Sequence, residues 1–265
     1  MHPMLNTAVK AARRAGNIIM RHIDQLERLA IETKGRNDFV SEVDRQAETK
    51  IIQTIKGAYP DHAVLAEESG RQPGNDYLWI IDPLDGTTNY LHGYPQFAVS
   101  IALQHRGRLE QAVVLDPLRN ELFTASRGRG AQLNDRRMRV SQVANLKFAL
   151  LGTGFPFRTH MHLETWINTF RVLLTHSSGV RRAGSAALDL AAVASGRLDG
   201  FWEIGLSAWD MAAGALLIEE AGGLIGDFSG SQAFLETGNV VAGNPQVYDK
   251  MLALIGPLLP PDLRR

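Results

Sequence analysis

The chain has 265 residues, with 28 Lys plus Arg and 28 Asp plus Glu, so its formal net charge at pH 7 is zero. A neutral chain has no overall field that draws it toward nucleic acid or an anionic membrane, so we expect no direct DNA binding and no membrane association. The absence of cysteine excludes disulfides, thiolate metal sites and cysteine nucleophiles. Any metal ligands must therefore be oxygen atoms or histidines.

The start of the chain is amphipathic rather than continuously apolar. Lys10, Arg13 and Arg14 interrupt its apolar residues, which is unlike the apolar stretch of a signal peptide. Elsewhere no segment reaches the roughly 18 to 20 uninterrupted apolar residues that a membrane span needs. We therefore expect the protein to be cytoplasmic.

The first half of the chain predicts two helices followed by strands. Apolar residues at helical spacing predict a helix from about residue 4 to Leu29 and a second over 41–58, which Ser41 caps. Residues 34–38, between them, have the composition of a turn. Short apolar runs predict strands at 63–66, 77–81, 97–104, 109–115 and 121–125. The short turns between the last three indicate an antiparallel meander.

From about residue 146 the pattern becomes α/β in character. We expect strands at 149–153 and 224–225, and helices over 162–174, 185–195, 210–221 and 246–254. The change of pattern predicts an α+β half, residues 1–145, and an α/β half, residues 146–265. We expect the two halves to form one catalytic unit.

An apolar strand that delivers two carboxylates is the most informative feature, in residues 79–89, Trp-Ile-Ile-Asp-Pro-Leu-Asp-Gly-Thr-Thr-Asn. Asp82 and Asp85 lie three residues apart around a proline, and the carbonyl of Leu84 lies between them. Such a set can ligate a hard cation, because magnesium prefers oxygen ligands. An isolated Asp-Gly pair is more often a plain turn, with Asp82 a helix cap, but the full string favours a metal site.

The residues after these carboxylates predict an anion site beside the metal. Gly86 and Thr87 allow close approach of the backbone, and a helix that starts there would direct free N–H groups toward a phosphate. The sequence therefore predicts adjacent metal and phosphate sites.

This string resembles the signature of the inositol monophosphatase family. Two further family motifs follow the family's order along the chain, Glu67-Glu68-Ser69 and residues 209–214, Trp-Asp-Met-Ala-Ala-Gly. The resemblance extends through residues 37–44 and 184–190, covers essentially the whole chain, and is nearest to the bacterial SuhB-type subgroup. It implies a layered α/β/α/β/α fold, with an antiparallel N-terminal sheet followed by a smaller mixed half, and usually a homodimer.

The resemblance also implies a role for individual residues. The implied ligands of two or three Mg²⁺ ions are Glu67, Asp82, Asp85, Asp210 and the Leu84 carbonyl. The implied catalytic residues are Glu67, Thr87 and Asp44, of which Thr87 and Asp44 polarise the attacking water. The implied substrate-binding residues are Asp85, Gly86, Thr87, Gly184, Ser185, Ala186, Glu203 and Asp210.

For three of these residues the local sequence pattern, taken alone, favours a structural role. Glu203 by itself is more often a surface acid, and Ala186 before another alanine is ordinary helix packing. Asp210 is favoured as the N-cap of an Ala-rich helix, although a cap residue can also face a metal.

The function that the resemblance implies is magnesium-dependent, lithium-inhibited hydrolysis of inositol 1-phosphate and similar polyol phosphate monoesters by metal-activated water. In this scheme residues 1–145 bind metal and phosphate, and residues 146–265 form the substrate side. One alternative is another sugar or nucleotide phosphatase of the superfamily. Another is association with RNA polymerase and Nus factors in ribosomal RNA transcription antitermination, a role that the resemblance also implies.

Two basic stretches remain outside this scheme, residues 127–130, Arg-Gly-Arg-Gly, and residues 136–139, Arg-Arg-Met-Arg. Their charge could meet RNA or an acidic partner. Their composition favours solvated hairpin turns.

Overall fold

The computed structural model describes residues 2–28, 31–35, 38–156 and 160–264. The α-helices of this part are α1 (Pro3–His22), α2 (Glu42–Ala58), α3 (Thr87–Leu91), α4 (Leu163–His176), α5 (Ala186–Ala194), α6 (Ala208–Glu220), α7 (Phe234–Thr237) and α8 (Pro245–Ile255). The first ten strands are β1 (Ile31–Gly35), β2 (Asp38–Ser41), β3 (Ala63–Ala66), β4 (Gly70–Gln72), β5 (Tyr77–Asp85), β6 (Ala98–His105), β7 (Arg108–Asp116), β8 (Glu121–Ser126), β9 (Gly130–Leu133) and β10 (Arg136–Arg137). The other strands are β11 (Leu150–Thr153), β12 (Gly179–Arg181), β13 (Gly200–Glu203), β14 (Leu224–Gly226) and β15 (Val240–Gly243).

Two large sheets and three helix layers form the fold. One sheet has eight strands in the order β10-β9-β8-β7-β6-β5-β3-β4, and the other has five in the order β12-β11-β13-β15-β14. Helices α1 and α2 pack on the outer face of the larger sheet, α5 and α6 lie between the sheets, and α4 and α8 cover the smaller sheet. This is the α/β/α/β/α arrangement that the family resemblance implies.

The strand pairing agrees with the predicted meander and refines it. Strands β5 to β9 pair antiparallel in chain order, but β3 runs parallel to β5, so the larger sheet is not purely antiparallel. The smaller sheet is mixed, because β13 pairs parallel with β11 and antiparallel with β15.

Side-chain alternation explains how the larger sheet supports helices on both faces. On β6, Ala98 and Ala102 pack toward α5 and α6, while Val99 and Ile101 pack toward α1 and α2. Small residues on the inner face leave room for a helix layer close to the sheet. Helix α6 is buried all round its middle because both sheets cover it, which suits its Ala-rich composition.

Two segments near the N-terminus differ from the sequence-based expectation. Helix α1 ends at His22 and a 3₁₀ segment, Ile23–Arg28, follows, whereas the predicted end, Leu29, lies outside the described residues. Strands β1 and β2 pair antiparallel around the predicted turn, whose residues 36 and 37 also lie outside the described residues. Helix α2 agrees with the prediction, and Ser41 caps it.

No helix within the described ranges combines the length and apolar character that crossing a membrane would require.

Candidate active site

A cleft of about 450 Å³ lies where the end of β5 meets the first turns of α3, α5 and α6. Its lining includes most of the residues that the sequence predicts for the site: Glu67, Asp82, Leu84, Asp85, Gly86, Thr87, Gly184, Ser185, Ala186, Glu203 and Asp210. Asp44 is the exception, since it is fully buried and contacts the cleft residue Thr87. The structure thus brings the predicted residues of both halves of the chain together.

A bulge in β5 separates the two carboxylates of the motif. The sequence predicts that the strand ends before Asp82, but β5 continues to Asp85, and its pairing with β6 shifts between these two residues. Pro83 has no N–H to donate at this position, which favours such an irregularity. The Asp82 Oδ1 atom accepts a hydrogen bond from the Leu84 N–H at 3.0 Å, which stabilises the turn of the chain.

The other carboxylates are fixed by the first turns of two helices. The Asp85 Oδ2 atom accepts hydrogen bonds from the Ser185 hydroxyl at 2.6 Å and the Ala187 N–H at 2.7 Å, at the start of α5. Asp210 accepts from the Ser207 N–H at 2.7 Å. The N-cap of α6 is therefore Ser207 and not Asp210, which lies one turn into the helix and closes a capping box.

Asp82, Asp85 and Asp210 form an acidic cluster in which one oxygen of each lies within 4.8 Å of the others. Burial, followed by the negative charges of Glu67, Asp85 and Asp210, raises the pKa of Asp82 well above its ordinary value. Burial also raises the pKa of Asp85 to about 6, despite its two hydrogen bonds. Like charges held together away from water fit a divalent cation, and a donor set of oxygens alone fits a hard one.

Glu67 reaches this cluster from the segment after β3. Its N–H donates to the Ile81 carbonyl at 3.2 Å, which ties the segment to β5. The next two N–H groups, of Glu68 and Ser69, donate to the buried carboxylate of Glu48 on α2, each at 2.8 Å. Glu48 therefore positions the segment that carries Glu67.

Thr87, Asp44 and Leu84 form a hydrogen-bonded group beside the cluster. The Thr87 Oγ1 atom lies 2.9 Å from Asp44 Oδ1 and 3.0 Å from the Leu84 carbonyl oxygen. The Asp44 Oδ2 atom accepts from the Ser41 N–H at 2.9 Å within the capping box of α2. Burial raises the pKa of Asp44, and the hydrogen bonds from Ser41 and Thr87 oppose the rise.

Glycine is required where α3 begins. Gly86 is the N-cap of α3 and has a left-handed φ of 88°, and a Cβ atom there would lie 2.8 Å from the Gln96 carbonyl oxygen. The Asn89 side chain donates to the carbonyl oxygens of Ala183 at 2.9 Å and Gly184 at 3.2 Å, which ties α3 to the loop before α5.

The far wall of the cleft carries two more buried acids. Glu203 ends β13 and is 5% exposed, so its interpretation as a surface acid is wrong. Burial, followed by the charge of Asp189, raises its pKa well above the ordinary value. The pKa of Asp189, on α5, is also raised well above the ordinary value by burial and by Asp85, while Arg182 opposes both shifts. The Arg182 guanidinium lies 4.3 Å from the centre of the Phe155 ring.

Four residues of this arrangement are absent from the sequence-based site: Glu48, Asn89, Arg182 and Asp189. Asp189 has a signal in the sequence, because an acid between two leucines in an Ala-rich helix must be buried there. Glu48 has none, since an acid on an amphipathic helix is usually solvated.

The layered fold and acidic cleft agree with the comparison against known families. The family model "Inositol monophosphatase family" matches residues 1–256, and the chain belongs to this family, whose members are metal-dependent phosphatases. It is 57% identical over 271 residues to the Nus factor SuhB of Pseudomonas aeruginosa, with 100% of both chains covered.

Solved structures give the same result. The extragenic suppressor protein suhB from Bartonella henselae superposes with a TM-score of 0.93 at 43% identity, covering 96% of this chain and 98% of that one. The inositol monophosphatase from Anabaena superposes with a TM-score of 0.84 at 38% identity, covering 97% of this chain and 96% of that one. The chain is therefore similar in fold to proteins of both names.

Proposed function

We propose that this protein hydrolyses inositol 1-phosphate and similar small polyol phosphate monoesters to alcohol and phosphate, with Mg²⁺ as cofactor and Li⁺ as inhibitor. The observation that carries the proposal is the cluster of Asp82, Asp85 and Asp210, whose oxygens lie within 4.8 Å of one another in the cleft. Three carboxylates held this close together repel one another, and a bound divalent cation would offset that repulsion.

The metal ligands in this proposal are the side chains of Glu67, Asp82, Asp85 and Asp210 and the carbonyl of Leu84, for two or three ions. Bound Mg²⁺ would neutralise charge on the phosphoryl oxygens and lower the pKa of water. Ser185 and Ala187 orient Asp85 by hydrogen bonds at 2.6 and 2.7 Å, so its carboxylate is fixed before any ion binds.

Thr87 and Asp44 orient the attacking water and take up its proton. The single hydroxyl proton of Thr87 is directed at Asp44 Oδ1 or at the Leu84 carbonyl, 2.9 and 3.0 Å away, so a lone pair of Oγ1 is free to accept from water. The buried Asp44 has a raised pKa, which suits a group that must gain and lose a proton.

The phosphate contacts Gly86 and Thr87, whose N–H groups belong to the first turn of α3 and so have no acceptor within the helix. The polyol lies against Gly184, Ser185, Ala186 and Glu203, which line the opposite wall. A buried carboxylate such as Glu203 needs hydrogen-bond donors, and the hydroxyls of a polyol supply them. Residues 1–145 then bind metal and phosphate and residues 146–265 bind the alcohol, apart from the metal ligand Asp210.

Phosphate release from inositol 1-phosphate tests the proposal, with glycerol 2-phosphate and fructose 1,6-bisphosphate as comparison substrates. Wild type should release phosphate only with Mg²⁺, should prefer the inositol ester and should be inhibited by Li⁺. The Asp85→Asn variant keeps the volume of the side chain and should lose about a hundredfold or more of this activity. Near-normal Mg²⁺-dependent turnover in that variant would contradict the assigned site.

A second role is supported by one comparison. The relative from Pseudomonas aeruginosa, 57% identical over the full length, is named a Nus factor. We infer that this chain, as a homodimer in the cytoplasm, also associates with RNA polymerase and Nus factors in ribosomal RNA antitermination. Purified polymerase and Nus factors should bind wild type and Asp85→Asn equally, because partner binding does not use the metal cluster. Absence of binding in both proteins would leave hydrolysis as the sole proposed function.

A further inference from the structure

A second concave surface lies apart from the active-site cleft. It is a groove of about 670 Å³ between the β9–β10 hairpin and the C-terminal end of α5, and none of its lining residues belongs to the cleft. We call it the arginine groove, and its lining consists of Leu133, Asn134, Arg136, Arg137, Met138, Arg139, Ser195 and Arg197. Four of the eight are arginines and none is acidic.

Three of these arginines carry charge that no nearby carboxylate offsets. Arg197 forms a two-pronged ion pair with Glu121, at 2.5 and 2.6 Å, and this contact lowers the pKa of Glu121. Within the described part of the chain, by contrast, no carboxylate lies within 4.0 Å of the guanidinium nitrogens of Arg136, Arg137 or Arg139. The groove therefore presents three exposed positive charges on a chain whose net charge is zero.

The backbone that carries these charges is fixed. Strand β10 pairs with β9, so that Arg136 lies opposite Leu133. The Met138 N–H donates to the Ala131 carbonyl at 3.0 Å, and the Val140 N–H donates to the Ala221 carbonyl at the end of α6 at 3.2 Å. A guanidinium held on such a segment loses less freedom on binding than one on a mobile tail.

A glycine of the hairpin lies beside one of these arginines. Gly130 has a φ of 83°, and a Cβ atom there would lie 3.6 Å from Nε of Arg137, so the guanidinium packs against the glycine backbone. Gly130 is the last residue of the first basic stretch, so this stretch lies beside the arginine groove.

We propose that the arginine groove binds the phosphate backbone of a single-stranded nucleic acid. Arginine presents two parallel N–H groups to a phosphate, and every cation of the groove is an arginine. A protein partner would need a large apolar or aromatic anchor, but Met138 is buried, at 7% exposure, Leu133 is partly buried, and no aromatic residue lines the groove.

The same lining predicts the mode of recognition. Because the groove has no aromatic side chain on which bases could stack, binding uses the backbone and is independent of sequence. A short concave surface between a hairpin and a helix end suits a flexible single strand better than a duplex. This inference goes beyond hydrolysis and uses none of its residues.

Fluorescence anisotropy with a labelled mixed-sequence RNA of about 20 nucleotides tests this proposal, with a DNA of the same length as a second arm. Wild type should bind both the RNA and the DNA, with affinity that falls as salt rises. Binding of the DNA would overturn the expectation of no direct DNA binding, which rests on the net charge of the whole chain. The triple variant Arg136→Gln, Arg137→Gln, Arg139→Gln should bind about tenfold more weakly, and its slope of log affinity against log salt should be smaller by about 2. Its phosphatase activity should be unchanged, which also confirms that it folds.

The matched control removes the same charge from elsewhere on the surface, with Arg13→Gln, Arg21→Gln and Arg108→Gln. It should bind within about threefold of wild type. Equal losses in the two triple variants would overturn the proposal, as would failure of wild type to bind either strand at low salt. Competition by polyglutamate as effective as that by RNA would assign the groove to acidic proteins instead. If the triple groove variant does not fold, the single variant Arg136→Gln replaces it, because the Arg136 side chain is exposed. This variant should bind RNA more weakly than wild type, and unchanged binding would contradict the proposal.

Discussion

The Thr87 hydroxyl lies 2.9 Å from the Asp44 carboxylate, although 43 residues separate them in sequence. The contact joins the first turn of α3 to the first turn of α2, and both residues take part in other hydrogen bonds there. Two helix starts from different parts of the chain thus combine into one hydrogen-bonded group at the edge of the acidic cluster.

Removal of the Thr87 hydroxyl should stop hydrolysis without loss of phosphate binding. We expect Thr87→Ala to lower kcat by about 10² to 10⁴, because the water loses its proton acceptor, while KM changes little since the Thr87 N–H remains. Steady-state kinetics with inositol 1-phosphate measure both constants. Thr87→Ser keeps the hydroxyl and should stay within about tenfold of wild type. An alanine variant as active as the serine variant would exclude the proposed proton path.

Gly154→Ala tests the contact of Glu203 with the polyol. A Cβ atom at this position would lie 1.9 Å from Glu203 Oε1, so the carboxylate must move. KM for inositol 1-phosphate should rise about tenfold or more, the cost of a hydrogen bond to a charged group, while phenyl phosphate, which lacks hydroxyls, should be hydrolysed as before. The matched control is Gly57→Ala, whose Cβ would meet no atom within 4 Å. Equal effects on the two esters would show that Glu203 does not recognise hydroxyls.

Glu48 should control metal affinity from outside the cleft. Glu48→Ala leaves the N–H groups of Glu68 and Ser69 without their acceptor, and because both groups are only partly buried the total cost should be about 1–3 kcal/mol of unfolding free energy. Because these groups adjoin Glu67, the Mg²⁺ concentration for half-maximal activity should also rise. Glu48→Gln keeps one acceptor oxygen, so its stability and its half-maximal Mg²⁺ concentration should lie between those of wild type and Glu48→Ala. Loss of stability with unchanged Mg²⁺ dependence would restrict Glu48 to a structural role.

Stability of the metal-free protein should fall as pH rises from about 4 to 6. Asp85 titrates near 3.8 when unfolded and at about 6 when folded, so the folded state binds the proton more tightly across that interval. Unfolding free energy therefore decreases as the pH rises through this window. Mg²⁺ should raise the melting temperature more at neutral pH than at pH 4, because it must displace any bound proton. Asp85→Asn should make the metal-free profile less steep between pH 4 and 6, although Asp82, Asp189 and Glu203, whose pKa values are also raised, keep part of the slope. An unchanged slope would contradict the assignment.

The sequence predicts the carboxylates of the acidic cluster better than the residues that position them. Asp82 and Asp85 are near each other along the chain, so their proximity is visible without a fold. Asp210 is predicted from its motif, but the sequence does not show that it lies one turn inside α6. Both Asp210 and Ser207, three residues upstream, are residue types that favour the N-cap, and in the structure Ser207 is the cap. Glu48 acts through contacts with a segment about 20 residues away in sequence, which no local pattern reveals.

The sequence predicts strands β11 and β14 of the smaller sheet but not its strands β13 and β15. Strand β13, Gly200–Glu203, is buried along its whole length, as is β15, Val240–Gly243. A short strand covered on both faces has no alternation of apolar and polar residues, so periodicity does not distinguish it from a buried loop or helix. The longer strands β6 and β7 agree with the prediction because their apolar runs are longer and short turns bound them.

Helix α6 lies between the two sheets, and its residues 210–218 are buried. Its amide protons should exchange with deuterium only when the whole domain unfolds, because we expect a helix covered by both sheets to open only together with them. Asp210 belongs to this slowly exchanging segment, so local fraying cannot carry it away from Asp82 and Asp85. Disassembly of the acidic cluster and collapse of the fold should therefore be a single cooperative event.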